Sequence, residues 1–245
     1  VQADPDREAS SPAVLLQASA EDGAHDPVVA GAGDGGERLL EVSLHQNRHA
    51  QRPLLRPRPG AVGTEATIHR LLEPGIKEQQ FRAEFASLTL GSGSAAMIMC
   101  RRELAPNGHS YLGSVTRAAT QFNKLCYGQM DRMVTDTRVL LTEGLKLATK
   151  TFTAAREKLG WVVDDLDQFI IHQVSKAHTD SLMKLLGLAP EKVHRIYPNL
   201  GNIGPAAVPI ALAKAVEMGK VKLGDRVALL GIGSGLNCSM AEIVW

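Results

Sequence analysis

The chain has 245 residues, with 27 Lys and Arg against 26 Asp and Glu, and a formal net charge of +1. This near-neutral balance gives no reason to expect a nucleic-acid partner or an anionic membrane surface. No apolar run approaches the roughly 20 residues that a membrane-spanning helix needs. The N-terminus also lacks the basic and apolar regions of a signal peptide.

The three cysteines, Cys100, Cys126 and Cys238, are an odd number without CxxC spacing. A disulfide framework and a zinc site are therefore disfavoured. We expect a chain that works in the reducing cytoplasm and holds no metal.

Residues 1–63 differ in composition from the rest, since they are rich in Gly, Ala, Pro, Arg and Asp and show no sustained apolar period. We expect this segment to be largely disordered, or to be non-native sequence from an out-of-frame or fused coding segment. It contains a GxGxxG match at 31–36, which in a dinucleotide-binding domain follows a strand and opens a helix. Neither flank is evident, so a chance match in a Gly-rich segment is the preferred interpretation.

The pattern changes near Thr64. Two helical pieces are predicted at 65–72 and 76–85, separated by Pro74. The next predicted element is a strand at 87–99, whose Gly-Ser-Gly-Ser centre permits close backbone approach or a bulge. A strand at 110–117 follows, and then a long amphipathic helix at 135–159 that Thr135 could cap.

The last hundred residues alternate between strands and helices. The predicted strands are 169–171, 193–197, 227–230 and 239–245, and the predicted helices are 175–186, closed by Gly187, and 205–218. This order predicts an α/β layered domain.

Three features lie at strand ends or in tight turns of that domain. His172 directly follows an apolar strand, and Asn202 lies between two glycines before a helix. A Gly-rich turn at 231–238 exposes backbone N–H groups that can form half of an oxyanion hole. Taken singly, each has a more common structural interpretation: a hydrogen-bonded histidine, a turn asparagine and an unusual hairpin.

Together these features resemble the C-terminal part of the 3-oxoacyl-ACP synthase III group of thiolase-superfamily condensing enzymes. That family has a His–Asn pair about 30 residues apart, as His172 and Asn202 are here. The Gly-Asn-Ile-Gly turn and the Gly-Ser-Gly-Leu-Asn-Cys ending look most like the OleA-type branch, which joins two fatty acyl-CoA chains. The resemblance covers 64–245. It implies a thiolase-like layered fold with a partial N-terminal half at 64–130 and a complete C-terminal half at 131–245.

The resemblance also implies a function. The chain would be part of an acyltransferase that performs a Claisen condensation of acyl-CoA or acyl-ACP thioesters. The resemblance further implies a homodimer without a bound cofactor. His172 and Asn202 would hydrogen-bond the carbonyl oxygen of the second thioester. The loop of Gly233, Ser234 and Gly235 would serve the other oxyanion.

One part of the family pattern is missing from the sequence. The nucleophilic cysteine of the family lies in the N-terminal half, at the start of a buried helix, and none of the three cysteines fits that position. The glutamate base of the OleA-type branch cannot be placed either. Three interpretations therefore stay open. The chain is a truncated condensing acyltransferase, an inactive degenerate subunit or pseudogene product of the same family, or an unrelated α/β binding domain. Without a partner half, we expect the strands at 87–99 and 227–230 to expose apolar surface.

Overall fold

The structure is a computed structural model, which describes residues 13–17, 65–91, 93–128 and 133–245. In this part of the chain, six strands form one mixed sheet in the order β2-β1-β3-β8-β7-β6. Their bounds are β1 Ala13–Gln17, β2 Ala96–Cys100, β3 His109–Ala118, β6 Gln168–Ile171, β7 Arg226–Gly233 and β8 Asn237–Val244. A separate antiparallel pair consists of β4 Cys126–Gly128 and β5 Met133–Thr135.

Strand β1 lies within the segment for which no regular structure was predicted. It pairs antiparallel with β2 along its whole length and meets the start of β3. Five residues are too few to show an apolar period, and their backbone hydrogen bonds come from strands that are far away in the sequence. The remaining residues of 1–63, including the GxGxxG match, lie outside the described residues.

The helices in the described residues are α1 Glu65–Leu71, α2 Glu78–Phe85, α3 Thr137–Leu159, α4 Lys176–Leu186, α5 Tyr197–Leu200 and α6 Ala207–Glu217. The predicted helices on either side of Pro74 are confirmed as α1 and α2. Helix α4 ends at Gly187, which adopts the left-handed conformation at φ 69°, as predicted.

The cap of α3 was predicted wrongly. Thr135 is the last residue of β5, and Asp136 caps the helix by accepting a hydrogen bond from the Val139 N–H at 3.0 Å. Both residue types are good caps. The pairing of β5 with β4 decides between them, because it holds Thr135 in an extended conformation.

Two predicted strands were wrong in extent or in kind. Within 87–99, a 3₁₀ turn occupies Ala86–Thr89, and regular pairing begins only at Ala96. The predicted strand at 193–197 is reduced to a single bridge between Val193 and Phe169. Helix α5 begins at Tyr197 directly afterwards. Both segments are apolar, but neither lies beside a strand with which it could pair over its full length. The apolar sequence alone does not contain that information.

Alternate residues of the central strands face two separate cores. Phe169 and Ile171 of β6 join a cluster with α3 and α4, whereas Ile170 joins a second cluster with α6. In β7, Ala228 and Leu230 face the first cluster and Val227 and Leu229 the second. Helices therefore cover both faces of the sheet, and the predicted α/β layered arrangement is confirmed.

The expectation that the strand at 227–230 would expose apolar surface was wrong. Val227 and Ala228 are fully buried, and Leu229 is only 9% exposed. The chain's own helices supply both covering layers. Ile98 in β2, by contrast, is 41% exposed. None of the helices described here is long and apolar enough to cross a bilayer.

Candidate functional site

A cavity of about 160 Å³ lies between α3 and the β7–β8 hairpin, on the side of the sheet that carries the first core cluster. His172, Asn202, Gly233 and Ser234 all line it, so the structure brings these four predicted residues together. Gly235 is not among the lining residues. It turns the corner between β7 and β8 with a φ of 126°.

His172 follows the last residue of β6, and its backbone N–H donates to the Leu230 carbonyl at 2.7 Å. This bond continues the β6–β7 pairing by one residue and holds the ring at the carboxyl end of β6, beside the middle of β7. Burial lowers the pKa of the ring to about 4, and the nearby His178 acts in the same direction. A hydrogen bond to the Gly204 backbone opposes this shift. At neutral pH the imidazole is therefore neutral, with one N–H and one lone pair.

Asn202 is oriented by the residue that also contacts His172. Its Oδ1 accepts a hydrogen bond from the Gly204 N–H at 3.1 Å. With the oxygen engaged, the carboxamide NH₂ is the group that can donate into the cavity. Because Gly204 raises the pKa of His172, it stabilises the protonated ring, so its carbonyl accepts from a ring N–H. The two site residues are thus linked through the two polar groups of a single peptide residue.

The backbone of Asn202 is clamped from the opposite side by the segment that precedes β2. Its N–H donates to the Thr89 carbonyl at 3.0 Å, and its carbonyl accepts from the Gly91 N–H at 2.9 Å. A Cβ on Gly91 would lie 1.9 Å from the Leu200 carbonyl oxygen. The close backbone approach predicted for the Gly-Ser-Gly-Ser segment is confirmed at Gly91, since only glycine fits there.

Gln173 is a supporting residue that sequence reasoning missed. The side chain is fully buried, its Nε2 donates to the His194 carbonyl at 2.7 Å, and its Oε1 accepts from the Ile196 N–H at 2.8 Å and the Tyr197 N–H at 3.2 Å. It therefore ties the end of β6 to the chain that leads to Asn202. The sequence signal was a second polar residue, after His172, at the end of an apolar strand, but the partners of Gln173 are more than 20 residues away.

His178 was also missed and lines the same cavity from the first turn of α4. Burial lowers the pKa of this ring as well. Its Nδ1 lies 3.0 Å from the Oγ of Ser175, the residue that caps α4. The Ser-x-x-His sequence at the helix start would have predicted this contact.

The structure places two of the three cysteines, Cys126 and Cys238, at the cavity. Cys126 begins β4, and its Sγ accepts a hydrogen bond from Thr135 Oγ1 at 3.5 Å. Cys238 lies in β8, and burial raises the pKa of its thiol to about 11. A thiol with that pKa is protonated and a poor nucleophile at neutral pH. Cys100 does not line the cavity.

The cavity is mainly apolar. Its described lining residues include no Asp, Glu, Lys or Arg. No three His, Cys, Asp or Glu side chains among the described residues cluster closely enough to hold a metal ion. The site can therefore offer hydrogen-bond donors and imidazole rings beside an apolar wall, with no fixed charge.

The sequence of this chain is similar to those of several known proteins. Residues 156–245 match the family model described as 3-oxoacyl-[acyl-carrier-protein] synthase III C terminal. The acyl-CoA:acyl-CoA alkyltransferase of Xanthomonas campestris pv. campestris is 60% identical over 181 residues, which cover 74% of this chain and 54% of that protein. Over the matched residues, the chain is similar to the 3-oxoacyl-ACP synthase III group of the thiolase superfamily. The beta-ketoacyl-ACP synthase III 2 of Streptomyces coelicolor is 29% identical over 172 residues, 65% of this chain and 48% of that one.

Solved structures confirm the thiolase-like fold. A Cys-to-Ser variant of Xanthomonas campestris OleA with bound lauric acid and lauroyl-CoA superimposes with a TM-score of 0.73 at 58% sequence identity. That match covers 77% of this chain and 56% of the OleA chain. The chain thus spans about half the length of the curated relatives that it matches. The division predicted at residue 130 stays a prediction, and β2 and β3 share one sheet with the strands that follow.

Proposed function

We propose that the chain is the thioester-binding part of an acyltransferase that performs a Claisen condensation of acyl-CoA thioesters, in the manner of the OleA-type and synthase III relatives. The observation that carries the proposal is the convergence of His172 and Asn202 on one apolar cavity, linked through Gly204. The cavity would hold the acyl chain, and the two side chains would bind the thioester carbonyl oxygen.

The electrostatic role of the pair follows from the chemistry of an enolate. Negative charge collects on the carbonyl oxygen as the α-carbon becomes a nucleophile, and donors that are already in place stabilise it. One such donor is typically worth ~10²–10³ in rate. The NH₂ of Asn202 is free to donate. A neutral His172 has a single N–H, which the Gly204 carbonyl already accepts. To bind His172, the thioester oxygen must share this N–H with the Gly204 carbonyl or displace that carbonyl.

The rest of the proposal follows from the resemblance to the family. Ser234 and the two flanking glycines would offer a backbone N–H to the oxyanion formed at an acyl-cysteine. The reaction would need no cofactor beyond its thioesters, and the protein would act as a homodimer in the cytoplasm. Neither the nucleophilic cysteine nor the glutamate base of the family has been identified in this sequence.

Binding is the first test. The whole chain is titrated calorimetrically with S-dodecyl-CoA, a thioether that cannot react, and with dodecanoyl-CoA. Only the thioester has a carbonyl oxygen. Asn202→Asp should therefore lower the affinity for dodecanoyl-CoA at least tenfold and change the affinity for the thioether by less than about threefold. Equal weakening of both ligands would contradict the proposed role of Asn202.

Covalent labelling separates active enzyme from inactive subunit. The chain is incubated with radiolabelled dodecanoyl-CoA, alongside Cys126→Ser and Cys238→Ser. Label that one of these substitutions abolishes would favour an enzyme with an alternative nucleophile. Absence of label, together with condensation only after a full-length relative is added, would favour the subunit interpretation.

A further inference from the structure

Helix α3 carries a glycine in its interior, at the cavity wall. Gly144 is the eighth of 23 helical residues and is buried. Glycine in a helix interior is less favourable than alanine, because it loses more backbone entropy on folding. A glycine kept at such a position needs a reason in its surroundings.

Tight packing does not supply that reason. Gly144 does not adopt a positive φ. A Cβ built on it would meet only Ile232 Cδ1, at 3.4 Å, and no other atom outside its own helix within 4 Å. This is an ordinary van der Waals contact, unlike the 1.9 Å overlap at Gly91. Alanine therefore fits at 144 without displacing a neighbour.

The space that a side chain would enter is the cavity itself. Leu140 and Ala148, one helical turn to either side of Gly144, line the cavity, and Ile232 lines the facing wall on β7. Residues four apart share a helix face. Gly144 thus lies in the middle of the helical wall, and its missing side chain leaves the gap between α3 and β7 open.

We propose that Gly144 sets the length of acyl chain that the cavity accepts. The inference rests on the proposed function, since it assumes that an acyl chain lies between α3 and β7. A side chain at 144 would take up the volume that the distal methylenes of a long chain need. Each methylene kept out of the apolar cavity weakens binding about fourfold. Short chains that end before Gly144 would bind as before.

The test compares ligand lengths in the whole chain. Binding of S-octyl-, S-dodecyl- and S-hexadecyl-CoA is measured by calorimetry for the wild type, Gly144→Ala and Gly144→Leu. We expect Gly144→Leu to weaken S-hexadecyl-CoA at least tenfold relative to S-octyl-CoA, and Gly144→Ala to weaken it about fourfold. Thr142→Ala and Thr142→Leu are the matched controls, because Thr142 is exposed on the same helix and does not line the cavity.

Thermal stability separates a size-selecting glycine from a structural one. Gly144→Ala should raise the Tm by roughly 2–4 °C, because it improves helix propensity without a clash. A lower Tm with uniformly weaker binding of all three ligands would show that the glycine is structural and would overturn the inference. The same ratio of affinities in Gly144→Leu as in the wild type would also overturn it while leaving the proposed function intact. A wild-type chain that binds none of the ligands would overturn both.

Discussion

The charge state of His172 results from two opposing effects on one ring. Desolvation at the end of β6 disfavours the imidazolium, whereas the Gly204 backbone favours it, and desolvation dominates. Negative charge on an adjacent oxygen would act in the same direction as Gly204 and raise the pKa. The ring is therefore neutral in the free protein, and under the proposed function it would gain proton affinity as an enolate forms beside it. Under the proposed function, the low pKa of the ring would suit a group that responds to charge in a bound thioester.

The same shift predicts how stability depends on pH. The ring has an ordinary pKa of 6.5 and a folded-state pKa of about 4, so the unfolded chain binds a proton more readily as the pH falls. The contribution of the neutral ring is complete above pH 6.5 and is lost as the pH falls towards 4. At pH 5 this loss is about 2 kcal/mol. His109, His178 and His194 shift in the same direction and add to the slope.

Urea unfolding of His172→Gln tests this at pH 8 and pH 5. We expect the loss of stability between the two pH values to be about 2 kcal/mol smaller than in the wild type, because glutamine does not titrate. The control is His69→Gln, at an exposed histidine on α1. An unchanged pH dependence in His172→Gln would mean that the ring is not desolvated.

At the scale of elements, the turn that carries Asn202 depends on a segment more than 100 residues earlier. The bridge between Leu90 and Asn202 holds only because Gly91 lets two backbones approach. We predict that Gly91→Ala forces the segments apart, removes both bridging hydrogen bonds and destabilises the chain by ~3 kcal/mol. Binding of dodecanoyl-CoA should weaken with it, because Asn202 loses its position.

The matched control for that substitution is Gly128→Ala in β4, where a new Cβ would have no atom within 4 Å. Denaturant midpoints and calorimetric affinities are compared for the two variants. If Gly91→Ala unfolds at the same denaturant concentration as Gly128→Ala, the bridge is not needed to hold the turn.

The sequence predicted those elements whose signal is local. Helix α3 and strands β6 and β7 were correctly located, since periodicity and buried runs depend on residues within one element. The strands at 87–99 and 193–197 were wrong in extent or kind, and β1 was missed. In each case the outcome depends on whether a distant strand edge is available for pairing. A sequence pattern does not contain that information.

The residues of the candidate site were likewise predictable only in part. The positions of His172 and Asn202 could be predicted because family resemblance supplied their distant relation. No role was predicted from the sequence for Gln173, Gly204 or His178. Their roles come from backbone groups and side chains that meet only in the folded chain, such as the Gln173 carboxamide against the Ile196 N–H.

At the scale of the whole molecule, a buried carboxylate joins the end of α3 to the last two strands. Glu242 of β8 is 1% exposed, with Oε2 accepting from Trp161 Nε1 at 2.8 Å and Oε1 accepting from Arg226 Nε at 2.7 Å. Trp161 follows α3 and packs against Phe152, with ring centroids 5.8 Å apart. Both carboxylate oxygens are thus used to fix a helix layer onto the sheet that carries the cavity.

Replacing Glu242 with glutamine should loosen this connection. The NH₂ of the new carboxamide must face either Trp161 or Arg226, so one donor meets another donor and is left without an acceptor. Arg226 is 34% exposed and can turn towards water, which limits the expected loss of stability to about 2 kcal/mol. The control is Glu217→Gln, which removes an exposed pair with Lys214 and should cost about 0.5 kcal/mol or less.

Urea unfolding followed by tryptophan fluorescence measures both variants, because Trp161 is one of only two tryptophans in the chain. We expect Glu242→Gln to lower the midpoint and to shift the native emission, since the indole N–H loses or exchanges its acceptor. Glu217→Gln should leave the emission unchanged. If Glu242→Gln costs no more than its control, the carboxylate does not hold the helix layer, and the cavity depends on apolar packing alone.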